Sequence, residues 1–284
     1  MSSGQFPLRN SVAVVTGAAG GIGAALAAGL AKRGCHLALT DRTPDALAIT
    51  AASARALGVN VSEHVFDLAD PAAIAALPEQ VTAQHGAVNL LVNNAGVALA
   101  GSFEDVSIDE IEWLFQINFW AVVRMMKAFL PLLKQQKEAQ IVNIASVFGL
   151  VGSPNEAPYC ASKFAVRGMS EALRHEFDLA GYHVGITLVY PAGVKTGIAL
   201  NTRPAAGMSA EAAKRFDEFL TKGHWEKILN TPPETVAEQI LAGVERRKKR
   251  ILCGQDSLKL DLIQRLLPVN YWVLFQRGMR RKAK

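Results

Sequence analysis

The segment Thr16-Gly17-Ala18-Ala19-Gly20-Gly21-Ile22-Gly23 constrains this chain more than any other. It follows a short apolar run, 12–16, and opens directly into an Ala-rich helical pattern, 22–33, for which Gly34 is a natural stop. Glycines let a backbone turn tightly and approach a pyrophosphate closely. The N-terminus of the helix that follows supplies free N–H groups and the positive end of the helix dipole. Asp41 closes the next apolar run, eighteen residues after Gly23, where a carboxylate accepts hydrogen bonds from adenosine ribose hydroxyls. Strand, turn, helix and acid together predict a dinucleotide-binding βαβ unit.

The rest of the chain continues that alternation. Short apolar runs at 12–16, 36–40, 61–66, 90–93, 141–146, 185–190 and 250–253 read as strands apolar on both faces, as in a parallel sheet covered on both sides. Helical patterns lie between them at 22–33, 107–130, 159–180 and 235–247, and Ser107 with Glu110 forms a capping-box signature. No repeat or low-complexity linker interrupts the 284 residues, and half are hydrophobic, enough for one large core. The fold class is therefore α/β, a doubly wound parallel sheet of Rossmann type in a single domain, 1–255, with a basic amphipathic C-terminal extension, 256–284. Segment 197–230 departs from the alternation just beyond a strand's carboxyl end and reads as a substrate lid.

Composition excludes several other classes. No stretch approaches the 18 or so consecutive apolar residues of a membrane span, and the first ten residues lack the apolar core of a signal peptide. Cys35, Cys160 and Cys253 are odd in number and widely spaced, which suits reduced thiols in the cytoplasm. The six histidines show no metal-ligand spacing, so no metal is expected. The net charge of +5 is unevenly divided: twelve Lys/Arg stand against two acids from Arg246 onward, and the remainder is acidic. No zinc, helix-turn-helix or aromatic-basic motif accompanies these cations, so nucleic acid is not expected as a partner.

A second constellation carries chemistry. Tyr159-Cys160-Ala161-Ser162-Lys163 places a phenol and an ammonium four residues apart, on one face of a helix. A free phenol titrates near 10 and is a poor base at neutral pH, while a neighbouring cation favours phenolate. Ser146, at the end of run 141–146, can hydrogen-bond a substrate oxygen. Asn118 sits among Phe115, Ile117, Phe119 and Trp120, where an amide is out of pattern. Its readings are a catalytic role or a structural hydrogen bond to a neighbouring strand.

With these residues in place, the chain resembles the short-chain dehydrogenase/reductase family over roughly residues 8 to 255. The motifs stand in family order: Thr16-Gly17 to Gly21-Ile22-Gly23, Asp67-Leu68, Asn93-Asn94-Ala95-Gly96, Asn118, Ser146, Tyr159 with Lys163, and Pro191 to Thr196. The resemblance implies an enzyme that transfers a hydride between a nicotinamide dinucleotide and an alcohol/carbonyl pair. Tyr159 would be the acid/base, Lys163 would hold the nicotinamide ribose and depress the phenol's pKa, and Ser146 would orient the substrate oxygen. Asn118 would hold a relay water, Asp67 and Leu68 would flank the adenine, and Asn94, Ala95 and Gly96 would line the cofactor floor. Thr196 and the Val194 backbone would hold the carboxamide, and Pro191 and Gly193 would also contact the cofactor. The family usually has Pro-Gly where this chain has Pro191-Ala192, so Gly193 is expected to absorb the turn. Family members also pair through the Asn118 and Tyr159 helices, which implies a homodimer or homotetramer.

The finer readings follow from single residues. Asp41 repels a 2′-phosphate and favours NAD, whereas Arg42 could bind one and keeps NADP open. Ile198, Leu200, Met208, Phe216, Phe219, Leu220 and Trp225 make the lid apolar and point to a hydrophobic alcohol or ketone. The alternative function is a catalytically silent nicotinamide-binding regulator or scaffold. Apolar and aromatic residues at 262–275, followed by Arg277, Arg280, Arg281, Lys282 and Lys284, suit either a peripheral membrane contact or cover for the pocket or a subunit interface.

Overall fold

The computed structural model describes residues 4–221 and 229–274. Trp225, Phe275 and the cations from Arg277 to Lys284 lie outside the described residues. The elements run β1 (Val12–Thr16), α1 (Gly21–Lys32), β2 (His36–Asp41), α2 (Pro44–Arg55), β3 (Val61–Val65), α3 (Pro71–His85), β4 (Leu90–Asn93) and β5 (Leu99–Ala100). They continue with α4 (Ile108–Phe115), a π-helical turn (Gln116–Trp120), α5 (Ala121–Gln135), β6 (Ala139–Ile144), a 3₁₀ turn (Val147–Gly149) and α6 (Ala157–Leu179). The last are β7 (Val184–Ala192), α7 (Gly197–Leu200), β8 (Arg203–Pro204), α8 (Ala210–Thr221), α9 (Pro233–Glu245), β9 (Arg250–Gly254) and α10 (Ser257–Leu266).

Seven strands form one parallel sheet in the order β3-β2-β1-β4-β6-β7-β9. This is the doubly wound Rossmann-type α/β fold expected from the alternation. Leu26, Leu30, Leu47 and Ile240 pack α1, α2 and α9 on one face, and Ile74, Met125, Phe129 and Phe177 pack α3, α5 and α6 on the other. Strands covered on both sides need apolar residues at successive positions, and Val12 to Val15 and Leu90 to Val92 supply them. The strand order reverses between β1 and β4, so the carboxyl ends Thr16 and Asn93 open a crevice where such sheets bind ligands.

Three elements differ from the sequence reading in ways that bear on the site. The helix expected over 107–130 is interrupted by the π-helical turn that holds Asn118, and it resumes past Pro131 to Gln135, where the buried Leu133 anchors the last turn. Strand β6 begins at Ala139 because the Gln140 amide donates to the Thr187 hydroxyl on β7 at 2.6 Å, pairing a polar residue inside the sheet. It stops at Ile144, so Ser146 does not end a strand. Its side chain instead accepts from the Phe148 N–H at 3.2 Å and caps the 3₁₀ turn. Tyr159 is the third residue of α6, not the first.

Candidate active site

The glycine turn is shaped by backbone approach. Gly17 and Gly21 take positive φ, 67° and 54°. A Cβ on Gly23 would lie 2.0 Å from the Gly17 carbonyl oxygen and 2.6 Å from Asn94 Nδ2, so no side chain fits there. Asn94 braces the turn from β4's end: its amide donates to the carbonyls of Thr16 at 2.9 Å and Gly17 at 3.2 Å. The Thr16 hydroxyl accepts the N–H groups of Asn94 and Ala95, both at 3.0 Å. Helix α1 starts from Gly20 with no side-chain cap, which leaves its positive end open for an anion.

Asp41 ties β2 to the same turn. Its carboxylate accepts from the N–H of Ala19 at 3.1 Å and of Thr43 at 3.0 Å, and further lone pairs remain for ribose hydroxyls. Arg42 is exposed beside it, and Asp67 is exposed next to the buried Leu68. Beyond β7, Gly193 takes positive φ, 60°, while Ala192 stays in the strand opposite Gly254. The extra methyl of Pro191-Ala192 is thus accommodated in extended backbone, and the glycine that follows makes the turn. Val194 bridges to Thr231, and Thr196 packs so close to Gly21 that a Cβ there would meet its side chain at 3.1 Å. These residues form a cradle with the shape and dipole that a dinucleotide requires.

The second group lies at the same end of the sheet. Tyr159 is buried at 8% exposure among Leu99, Leu114, Ala205, Ile198 and Met208, with Phe148 edge-on to its ring. Burial, and next the nearby Glu156 carboxyl, push the phenol's pKa above its usual value, while the Ser146 hydroxyl bonds the phenol and pulls the other way. Lys163 is buried at 3% exposure, with Nζ 5.6 Å from the tyrosine ring centroid and 3.3 Å from the Ile144 carbonyl oxygen. Burial brings its pKa down to about 8. From sequence the cation is expected to lower the phenol's pKa; here desolvation is the larger effect on the phenol, and it lowers the lysine's own pKa as well.

Asn118 is fully buried. Its Oδ1 accepts the Val97 N–H at 2.9 Å, and its Nδ2 donates to the Val97 carbonyl at 2.9 Å and the Ser162 hydroxyl at 3.2 Å. It therefore clamps the segment after β4 to α6. A Cβ on Gly96 would lie 3.2 Å from Asn118 Oδ1 and 3.3 Å from Lys163 Nζ, so the two side chains converge on that glycine. Among the described residues, no cluster of His, Cys, Asp or Glu could hold a metal ion.

Residues 11–207 match the family model for short chain dehydrogenases. This chain belongs to that family. Among its relatives is SadH of Mycobacterium tuberculosis, a protein named as an oxidoreductase, 38% identical over 94% of this chain and 95% of the relative. A short-chain dehydrogenase/reductase from Burkholderia phymatum, solved in complex with NAD, has a TM-score of 0.82 and 32% identity over 92% of this chain and 94% of its own. A metagenomic short-chain oxidoreductase in complex with NADP has a TM-score of 0.61 and 35% identity over 65% of this chain and 83% of its own. This short-chain dehydrogenase is an oxidoreductase of a family with solved members in complex with NAD and with NADP.

Two features of the site were missed in the sequence. Glu156 stands three residues before Tyr159, close enough to perturb it, and the signal available was that spacing of one helical turn. Glu110 was read only as a capping residue. It forms the capping box with Ser107 and also accepts from the Ala206 N–H at 3.0 Å, beside Arg203 at 3.7 Å, which ties the lid to α4. Within the lid, Ile198 and Met208 pack near Tyr159, whereas Leu200 and Phe219 are exposed.

Proposed function

We propose that this short-chain dehydrogenase interconverts an alcohol and its ketone or aldehyde, with Tyr159 giving or taking the proton at the substrate oxygen. The observation that carries this reading is the buried Tyr159 phenol, bonded by Ser146, one helical turn from Lys163 and facing the same crevice as the glycine cradle. The nicotinamide cofactor supplies the hydride acceptor or donor. Ser146 orients and polarises the substrate oxygen, and Tyr159 transfers its proton to that oxygen on reduction. The phenolate so formed is stabilised by the Lys163 ammonium, whose pKa of about 8 also suits it to return the proton. Asn118 fixes the backbone of Val97 and the Ser162 side chain, and through them the lysine's surroundings, with a relay water as its further role.

For the cofactor, Gly17, Gly21, Ile22 and Gly23 take the pyrophosphate, Asp41 and Arg42 the adenosine ribose, and Asp67 and Leu68 the adenine. Asn94, Ala95 and Gly96 line the floor, Lys163 holds the nicotinamide ribose, Thr196 and the Val194 backbone hold the carboxamide, and Tyr159, Pro191 and Gly193 also contact the cofactor. NAD is preferred, because Asp41 leaves poor room for a 2′-phosphate. The substrate is hydrophobic, in keeping with the apolar side chains around Tyr159. Residues 1–255 form the catalytic domain and 256–284 an extension, in a cytoplasmic homodimer or homotetramer. The exposed Trp120 and Phe164 on the Asn118 and Tyr159 helices support the subunit contact. Cofactor oxidation with a panel of ketones and aldehydes of increasing chain length tests the function. Turnover that rises with chain length supports it, and cofactor binding without turnover on any member contradicts it.

A further inference from the structure

Helix α10 is inside-out. A helix on a globular protein normally buries its apolar stripe and shows its polar one. Here the buried residues are Ser257 and Asp261, and Asp261 is gripped by Arg250 of β9 at 2.8 Å and by Arg265 at 3.2 Å. Leu258, Leu262 and Leu266, at successive helical turns, face outward at 60%, 49% and 78% exposure. The apolar surface continues past the helix through Leu267, Val269, Val273 and Leu274, all exposed. Scattered exposed leucines need no explanation, but a continuous stripe held outward by a buried ion pair marks a surface with a partner.

The charge carried by this end of the sequence selects the partner. From Leu262 to Lys284 the sequence has six Lys/Arg and no acid, and Lys259 adjoins Leu258. Arg250 also lines a cleft of about 490 Å³ with Arg246 and Lys248, which are both exposed. A second copy docked symmetrically on this stripe would bring like charges together. An anionic bilayer complements both features, with leucines at the acyl boundary and cations at the headgroups. Among the described residues no helix is long and apolar enough to cross a membrane, so the contact would be peripheral.

We propose that α10 and the exposed apolar residues of 267–274 after it dock this enzyme on anionic lipid surfaces. The Tyr271 hydroxyl accepts the Gly152 N–H at 2.9 Å, in the loop between Ser146 and Tyr159, so the docked face adjoins the segment leading into the site. Delivery of a lipid-soluble substrate from the bilayer follows from that adjacency and rests on the function proposed above.

The test is flotation of the full chain with vesicles of phosphatidylcholine alone or mixed with phosphatidylserine, at low and high salt. It is run beside the Leu258→Ser/Leu262→Ser/Leu266→Ser variant. Wild type should float with the mixed vesicles, more weakly at high salt. The triple variant should lose at least about tenfold in partitioning, because a leucine side chain is worth roughly that factor or more when buried. The variant's thermal transition and cofactor binding should match wild type, since the three residues are exposed. Failure of wild type to float at low salt, or equal flotation of the variant, overturns the proposal. So does a wild-type dimer that the triple variant converts to monomer without any lipid binding, which would assign the stripe to a second copy. Flotation needs no turnover, so failure of the substrate reading would leave this result standing.

Discussion

Replacing Gly23 by Ala tests how tightly the cofactor cradle is built. The added methyl would stand 2.0 Å from the Gly17 carbonyl oxygen, 2.6 Å from Asn94 Nδ2 and 2.8 Å from the Gly17 carbonyl carbon. Ordinary contact begins at 3.4 Å, so all three are too close, and the first and last of these atoms are backbone, so the turn itself must move. Overpacking of this kind costs about 1–3 kcal/mol, and each kcal/mol lowers the melting temperature by about 2–4 °C in a chain near this size. The displaced turn also loses its alignment with the start of α1, so NADH binding should weaken at least about tenfold, the equivalent of roughly 1.4 kcal/mol. Gly20→Ala is the control. Gly20 is extended at φ −171°, and a Cβ there has nothing within 4 Å, so its stability should stay within about 0.5 kcal/mol of wild type. Fluorescence titration with NADH and thermal melts read both effects. If Gly23→Ala binds and melts like wild type, or if Gly20→Ala is the more damaging of the two, the close-approach reasoning is wrong.

Glu156, pushed up to about 7 by burial from an ordinary 4.5, favours folding in its neutral form, so its contribution is complete below about pH 4.5 and lost as pH rises through 7. Glu156→Gln should therefore raise the denaturation midpoint near pH 8 but not near pH 4, and should shift the Tyr159-dependent limb of the pH–rate profile to lower pH; an unshifted limb contradicts the coupling. His64 and His85 share the Ser62 hydroxyl at 2.9 Å each, and burial holds both below their ordinary 6.5. Stability should accordingly fall as pH drops below about 6.5 through the depressed folded values, and His64→Gln should flatten that slope in urea titrations. Asp41→Ala should move the kcat/KM ratio toward NADP, by assay with both cofactors; an unchanged ratio places the preference elsewhere.

The sheet was legible because its strands are buried on both faces, and runs such as Val12 to Val15 announce themselves without periodicity. The cradle was legible because glycine leaves few explanations once a strand precedes it and a helix follows. Polar residues that work inside the fold hid the rest. Gln140 masked the start of β6 because its partner, Thr187, is distant in sequence and only the register makes them neighbours. The π-helical turn at Asn118 has no composition of its own. It exists because the amide is satisfied by Val97 and Ser162, contacts that only the tertiary structure supplies. The inverted face of α10 escaped for the same reason, since the sequence shows its amphipathic pattern but not that Arg250 turns the Asp261 side inward.

The central claim is that Tyr159 is the proton donor and acceptor of a nicotinamide-dependent reaction. Its most direct test is steady-state turnover and NADH titration of Tyr159→Phe on a ketone that wild type reduces. The ring and its packing against Phe148 survive the change and only the hydroxyl is lost. Turnover should fall by at least about a thousandfold, in line with loss of a positioned acid/base, while NADH affinity stays within about threefold. A variant that retains near-normal kcat would contradict the account.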